Sequence, residues 1–277
     1  MPPIFVPYYK EQENCLLLIK VPRNIDRKDT KPGMNLYDYV IGMYEAYGYI
    51  LKRKDKEIEE IKFSYDRVEG IENYRDLLLG LLTIHLTNYD IIIRYNTVSE
   101  DIILQLVKII RDRYSQKNYN KIPIKNKIEA HEITERFYEN IINKMYSDGD
   151  SFDIMAFQPA VKANNSRGNL FQKIIRLMRL KLLLITVHLC SSGELLVIDK
   201  GRPIRYLKET AYSYRFTSIS LEKIYNTKFE KCEKYDKFKI VYISTGRSSY
   251  KFYFDEKNKD LIYFYNKLNT LNNLTNS

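Results

Sequence analysis

Tryptophan does not occur in this 277-residue chain, and glycine is scarce at 10 residues. Nucleotide-cradling loops need closely spaced glycines so that backbone amides can approach phosphate. Neither GxGxxG nor GxxxxGK[ST] is present, so a cradle of that kind has no support. Cysteine is limited to Cys15, Cys190 and Cys232. They are far apart, with no CxxC and no Cys/His spacing, which suggests neither a disulfide framework nor a zinc site and favours a reducing compartment. Long apolar runs are missing too. The longest, residues 180–189, is interrupted by Lys181 and His188 and is too short to span a bilayer. The first residues, Met1-Pro2-Pro3-Ile4, have no basic n-region and no signal-type apolar core. The expectation is a cytoplasmic protein, peripheral at the plasma membrane at most.

Catalytic signatures are equally sparse. His131-Glu132 lacks the second histidine of a metalloprotease helix and reads as a solvated helix face. Residues 148–153 faintly resemble a calcium loop but lack its later oxygen ligands and closing glutamate, so they read as a turn. His85 and His188 lie in apolar strands and read as partly buried structural histidines. The cysteines have no His or acid partners in sequence and read as small core residues. The expectation is a non-enzymatic protein with no cofactor and no metal site.

What is present is apolar content of 44% and a net charge of +10. The first is ample for a folded core, and the second points to an acidic partner: nucleic acid, an anionic membrane or an acidic protein face. Tyrosine is abundant, at 25 residues, but spread along the whole chain. Tyr and Lys interleaved could stack on bases, so a basic nucleic-acid-associated or virus-encoded structural protein of orphan fold is the alternative reading.

The pattern predicts an α+β chain in four parts. Residues 1–76 open with two strands, 4–9 and 15–21. A helix over 35–51 follows, with Leu36, Tyr39, Val40, Met43, Tyr44 and Tyr47 as its buried stripe. Residues 77–146 repeat the scheme: strands 81–86 and 90–95, then a helix over 98–114 opened by a Thr97/Glu100 capping box. A further helix is read at 128–146. Two strands followed by a long helix resemble the start of a β-grasp, ubiquitin-like fold, so both parts read as β-grasp-like modules. Residues 147–168 read as a linker.

The last part, 169–277, carries short Ile-, Leu-, Val-, Tyr- and Phe-rich runs bounded by turn residues, and closes on an amphipathic helix. Leu261, Phe264, Tyr265, Leu268 and Leu271 form that helix's stripe, with Asp255 as its cap. Six or seven strands and one terminal helix resemble a pleckstrin-homology domain with its β-barrel. Within 171–209 eight cations, Lys173, Arg176, Arg179, Lys181, Lys200, Arg202, Arg205 and Lys208, face three acids. The resemblance implies that the early strand–strand loops form an open end where clustered Lys and Arg bind inositol phosphates through charge-assisted hydrogen bonds. Lys173, Arg176, Arg179, Lys181, Lys200, Arg202 and Arg205 are therefore the expected lipid-binding residues. Residues 171–184 fit either the first strand or a basic amphipathic helix.

The order β-grasp-like, β-grasp-like, linker, pleckstrin-homology-like resembles the stress-activated-kinase-interacting subunit of target of rapamycin complex two. The phrase Asp38-Tyr39-Val40-Ile41-Gly42-Met43-Tyr44-Glu45-Ala46-Tyr47 looks like the helix of that family's middle region. Residues 81–114 look like its Ras-binding-type hairpin and helix, and residues 194–199, 238–241 and 250–254 look like its last domain. The resemblance implies an adaptor or scaffold that holds anionic phospholipid headgroups at its end and protein partners, a kinase complex or small GTPase, at its start. The acidic loop that recruits the kinase substrate in that family is here a mixed Lys/Glu run, residues 52–60.

Overall fold

A computed structural model describes residues 1–9, 14–25, 27–55, 57–114, 135–163, 181–191, 193–206, 212–235 and 237–275. The chain is α+β, and its sheets are antiparallel throughout the described pairings. The first sheet is a meander of β1 (Leu17–Pro22), β2 (Tyr37–Met43), β3 (Tyr47–Lys54) and β4 (Glu57–Ser64), in that order. A 3-10 turn, Tyr65–Arg67, leads into a three-strand meander, β5 (Val68–Asp76), β6 (Leu79–Leu86) and β7 (Asp90–Asn96), followed by helix α1 (Glu100–Tyr114).

The same order of elements then returns. After α2 (Arg136–Ser147), the strands β8 (Asp153–Gln158), β11 (Thr186–Cys190), β12 (Glu194–Asp199) and β14 (Tyr214–Ser220) are neighbours in that order. A 3-10 turn, Leu221–Lys223, leads into the meander β15 (Ile224–Lys231), β16 (Phe238–Thr245) and β17 (Ser249–Asp255), and the closing helix is α3 (Lys259–Thr275). Three short strands, β9 (Val161–Ala163), β10 (Lys181–Leu183) and β13 (Ile204–Tyr206), arise within the connections of this second half and pair as a small sheet of their own.

The two halves match in detail where the chain passes from four strands to three. Ser64-Tyr65-Asp66-Arg67-Val68 corresponds to Ser220-Leu221-Glu222-Lys223-Ile224: serine, apolar, acid, base, β-branched. Tyr65 and Leu221 are both buried, and each passage is followed by a register break, between Val68 and Gly70 and between Ile224 and Asn226.

The halves are not beads on a string. β14, the last of the second half's four strands, pairs with β5, the first of the first half's three, from Tyr214↔Arg75 to Ile219↔Gly70. One seven-stranded sheet results, ordered β7-β6-β5-β14-β12-β11-β8. Alternation along the strands gives it two continuous faces. On one face, the first sheet and α1 bury Val68, Ile71, Leu82, Ile84 and Ile93, and α2 lays Tyr138, Ile142 and Met145 on Leu196 and Ile198. On the other, β15–β17 and α3 bury Leu195, Val197 and Ile219 under Phe252, Phe254, Phe264 and Leu268.

Several sequence expectations are corrected here. Residues 35–51 form no helix; they are strand β2, a short turn and most of β3. Tyr, Val and Ile fit a pleated surface, and Gly42 and Gly48 would each cost a helix about 1 kcal/mol. Gly48 is needed by the sheet itself: a Cβ there would meet the Phe63 ring at 2.3 Å. The first β-grasp-like module therefore lacks its helix, and the phrase Asp38–Tyr47 is most of one strand, a turn and the start of the next. The second has its hairpin and helix, but β5 and β14 continue its sheet. At the start of the chain, Pro3–Phe5 is a 3-10 turn, with Phe5 buried against Val40 and Leu51. Residues 147–168 are not a plain linker, because β8 is the edge of the central sheet and β9 joins the small one. The last unit has the expected strands and terminal helix, but its sheets do not close on themselves as a barrel among the described residues.

Caps also differ. Thr97 Oγ1 donates to Leu77 O at 2.7 Å, and Glu100 is drawn to Arg75, so the capping box is not made. Asn96 Oδ1 instead accepts from Val98 N at 3.0 Å. At α3 the side-chain acceptor is Asn258, whose Oδ1 takes the amide of Asp260 at 2.8 Å, rather than Asp255. The same helix start grips β8: Phe157 N donates to Asp260 Oδ2 at 3.0 Å, and Asn258 Nδ2 donates to Phe157 O at 2.9 Å.

Candidate functional site

Of the seven expected lipid-binding cations, Lys173, Arg176 and Arg179 lie outside the described residues. The other four occupy one region without forming a cluster. Lys181 and Arg205 are on β10 and β13, paired as Lys181↔Tyr206 and Leu182↔Arg205. Adjacent positions on a strand point to opposite faces, so their side chains leave the small sheet on opposite sides. Lys181 Nζ rests 4.8 Å from the centre of the Tyr206 ring. Arg205 turns back to Lys200 O at 3.3 Å and to the Ser213 hydroxyl. Lys200 lies over Phe137 of α2, 4.1 Å from the ring centre, and burial followed by the nearby Arg205 charge lowers its pKa despite Glu135. Arg202 is exposed, in the turn after Gly201.

A different arrangement is built where the two halves meet. Helix α1 ends over β12 and β14, and its last turn brings Arg111 and Tyr114 onto Glu194 and Ser218. Arg111 Nη2 donates to Glu194 Oε1 at 2.6 Å, and Nε reaches Oε1 and Oε2 at 3.2 and 3.1 Å. Tyr114 donates to Oε2 at 3.2 Å, and Ser218 donates to the same oxygen. All four residues are buried. Burial alone would disfavour both charges. Yet the Arg111 charge and the three donors hold Glu194 below the ordinary carboxylate range, and Glu194 raises Arg111 above its ordinary value. A bidentate guanidinium–carboxylate pair fixes register as well as charge, so this pair sets how α1 of the first half lies on the sheet of the second.

Beside the pair is a cleft of about 640 Å³ between α1, α2 and the sheet. Leu104, Val107, Ile141, Met145, Ile198 and Phe216 make its apolar floor, and Arg75, Glu100, Lys108 and Asp150 stand around it. Arg75 pairs with Glu100 and stacks on Tyr214 at 3.9 Å. Burial raises the pKa values of Glu100 and Asp150. The floor and the balanced charged rim suit a neutral or zwitterionic amphiphile better than a polyanion.

Sequence reasoning passed over Arg111, Tyr114, Glu194 and Ser218 as a group. Arg111 and Tyr114 have the three-residue spacing of one helix face, and a glutamate opening the apolar run 194–198 is an anomaly that signals a buried partner. Nothing local pairs positions 83 residues apart.

Comparison with protein-family models finds no match, and neither does comparison with curated proteins.

Proposed function

We propose that this chain is a non-enzymatic adaptor made of two pleckstrin-homology-like units fused edge to edge, which binds anionic membrane lipid through its C-terminal unit and protein partners through its N-terminal one. The observation that carries the reading is the order of elements. Four strands, a 3-10 turn, three strands and a helix occur twice, each time with the helix packed on the core of its own half. The net charge of +10 supports an acidic partner. No helix among the described residues is long and apolar enough to cross a membrane, which agrees with attachment from the side. The cationic contact would be carried by Lys173, Arg176 and Arg179 with Lys181 and Arg202; Lys200 and Arg205 act as braces, because their polar ends are spent on Phe137, Ser213 and backbone.

Vesicle co-sedimentation tests this reading. The full chain should pellet with phosphatidylcholine vesicles containing a phosphoinositide and remain in solution with phosphatidylcholine alone. Arg179→Glu with Lys181→Glu should abolish pelleting, while Lys200→Met should not. Unchanged binding by the double variant rejects the lipid site. Steeply salt-dependent binding to single-stranded nucleic acid, with none to either vesicle, selects the nucleic-acid alternative.

A further inference from the structure

The hairpin turn between β5 and β6 is built from unusual residues. Leu77 and Leu78 occupy its two central positions, and Leu77 has φ +52°. A positive φ at the first central residue of a two-residue hairpin is a place for glycine; a leucine there is strained. Neither leucine is buried in return. Leu77, Leu78 and Leu79 are 68%, 65% and 46% exposed. The 3-10 turn that leads into α1, Thr97–Ser99, joins them: Thr97 donates its amide to Leu78 O at 3.1 Å and its hydroxyl to Leu77 O at 2.7 Å. This brings Val98, 84% exposed, and Ile102, 46% exposed, beside the turn.

Five large apolar side chains thus share one corner of the molecule, at a conformational cost the fold does not recover. Contiguous exposed apolar surface of this kind marks interaction sites. Its rim decides the partner. Asp76, Glu100 and Asp101 border it; among the described residues only Glu100 of the three is in an ion pair, with Arg75, and Asp76 accepts from the Tyr74 hydroxyl at 3.2 Å. Arg94 is the next cation on that end of β7, opposite Leu81 and two residues in from the Leu79↔Asn96 pair. Glu100 is offset by Arg75 and by the nearby Lys144 of α2, so the acidity of this corner, in a chain of net charge +10, rests on Asp76 and Asp101. A second copy apposed by a two-fold axis would set acid against acid, and an anionic bilayer would be repelled.

We infer that the Leu77–Leu79 turn and the start of α1 form a docking site for an apolar segment of a partner protein flanked by lysine or arginine, such as an amphipathic helix with a basic border. The inference goes beyond the lipid reading and does not depend on it. Apolar anchors would come from Leu78 and Val98, and orientation from Asp76 and Asp101.

The test uses the full chain and two synthetic amphipathic peptides with the same leucine face, one bordered by lysine and one by glutamate. The lysine peptide should bind, although the chain as a whole repels it, and Leu78→Ser with Val98→Ser should weaken binding at least about tenfold. Asp76→Asn with Asp101→Asn should weaken it about tenfold and flatten its salt dependence. Leu18→Ser, at an exposed leucine on β1, should leave it unchanged. Leu77→Gly should raise Tm by about 2–4 °C while weakening the peptide. Equal binding of the glutamate peptide, binding to neutral vesicles that the same serine substitutions abolish, or a dimer dispersed by them, would each overturn the proposal. A fall in Tm for Leu77→Gly would show that the leucine serves the fold and would overturn it too.

Discussion

His188 gives the sharpest physical prediction. It lies on β11, is 0% exposed, and neither ring nitrogen has a hydrogen-bond partner among the described residues. Its surroundings are aromatic: Phe264 at 4.5 Å, Phe254 at 5.0 Å and stacked, Phe252 at 5.1 Å and edge-on. Burial alone lowers its pKa from 6.5 to about 3. The unfolded chain therefore takes up a proton near pH 6.5 that the folded chain refuses until about pH 3. Stability contributed by the neutral ring is complete above pH 6.5 and is lost as the pH falls through that window. A difference of roughly 3.5 pH units corresponds to about 5 kcal/mol in full, and about 2 kcal/mol is already gone at about pH 5. The perturbation is His188→Leu, measured by urea unfolding of both chains at about pH 7.5 and about pH 5. Carboxylates titrate alike in both, so subtracting one chain from the other isolates the histidine. At the higher pH the variant should equal or exceed the wild type, because it removes orphaned polar atoms worth about 1–3 kcal/mol. Between the two pH values, wild type should lose about 2 kcal/mol more than the variant. Parallel losses would refute the burial argument.

Two further predictions concern the junction of the halves. Arg111→Met leaves Glu194 charged and buried, and should cost about 3–5 kcal/mol, whereas Arg111→Met with Glu194→Leu should cost clearly less; urea midpoints decide, and a double variant as unstable as the single would contradict the reading. Gly70→Ala places a Cβ 2.5 Å from the Tyr250 hydroxyl and 2.8 Å from the backbone oxygen of Ser218 on the paired strand. It should cost about 2 kcal/mol or more, with Tyr250→Phe restoring only the part due to the hydroxyl; a thermal melt with unchanged midpoint would show that the seam can part.

Much of the second half was legible one element at a time. Strand β12 was readable residue for residue from its unbroken Leu-Leu-Val-Ile core, and α3 from Leu261, Phe264 and Leu268. Strands β6 and β7 were legible from their Leu- and Ile-rich runs on either side of the Thr87-Asn88-Tyr89 turn, although Ile91-Ile92-Ile93 hid which positions face inward. The stretch 35–51 misled because Tyr39, Val40, Met43, Tyr44 and Tyr47 satisfy a helical period, while β2 is buried on both faces from Tyr39 to Met43 and leaves no polar side to reveal a period of two. The duplication was present in Ser64–Val68 and Ser220–Ile224, but five degenerate positions carry little weight until both are seen to bridge a four-strand and a three-strand meander. Among the expected lipid residues, charge counting found the cations, and it could not find that Lys181 and Arg205 diverge, because facing depends on register.

By itself the sequence determined a folded, basic, mostly antiparallel α+β chain ending in an amphipathic helix, because apolar spacing and turn residues act within a few positions of one another. Only the tertiary structure decided that β14 would pair with β5 to merge two like halves, that Arg111 would meet Glu194, and that Leu77 would be left in the open. The first two depend on edges and faces brought together across 80 or more residues, the third on what the folded chain leaves uncovered around one turn, and local pattern has no term for either.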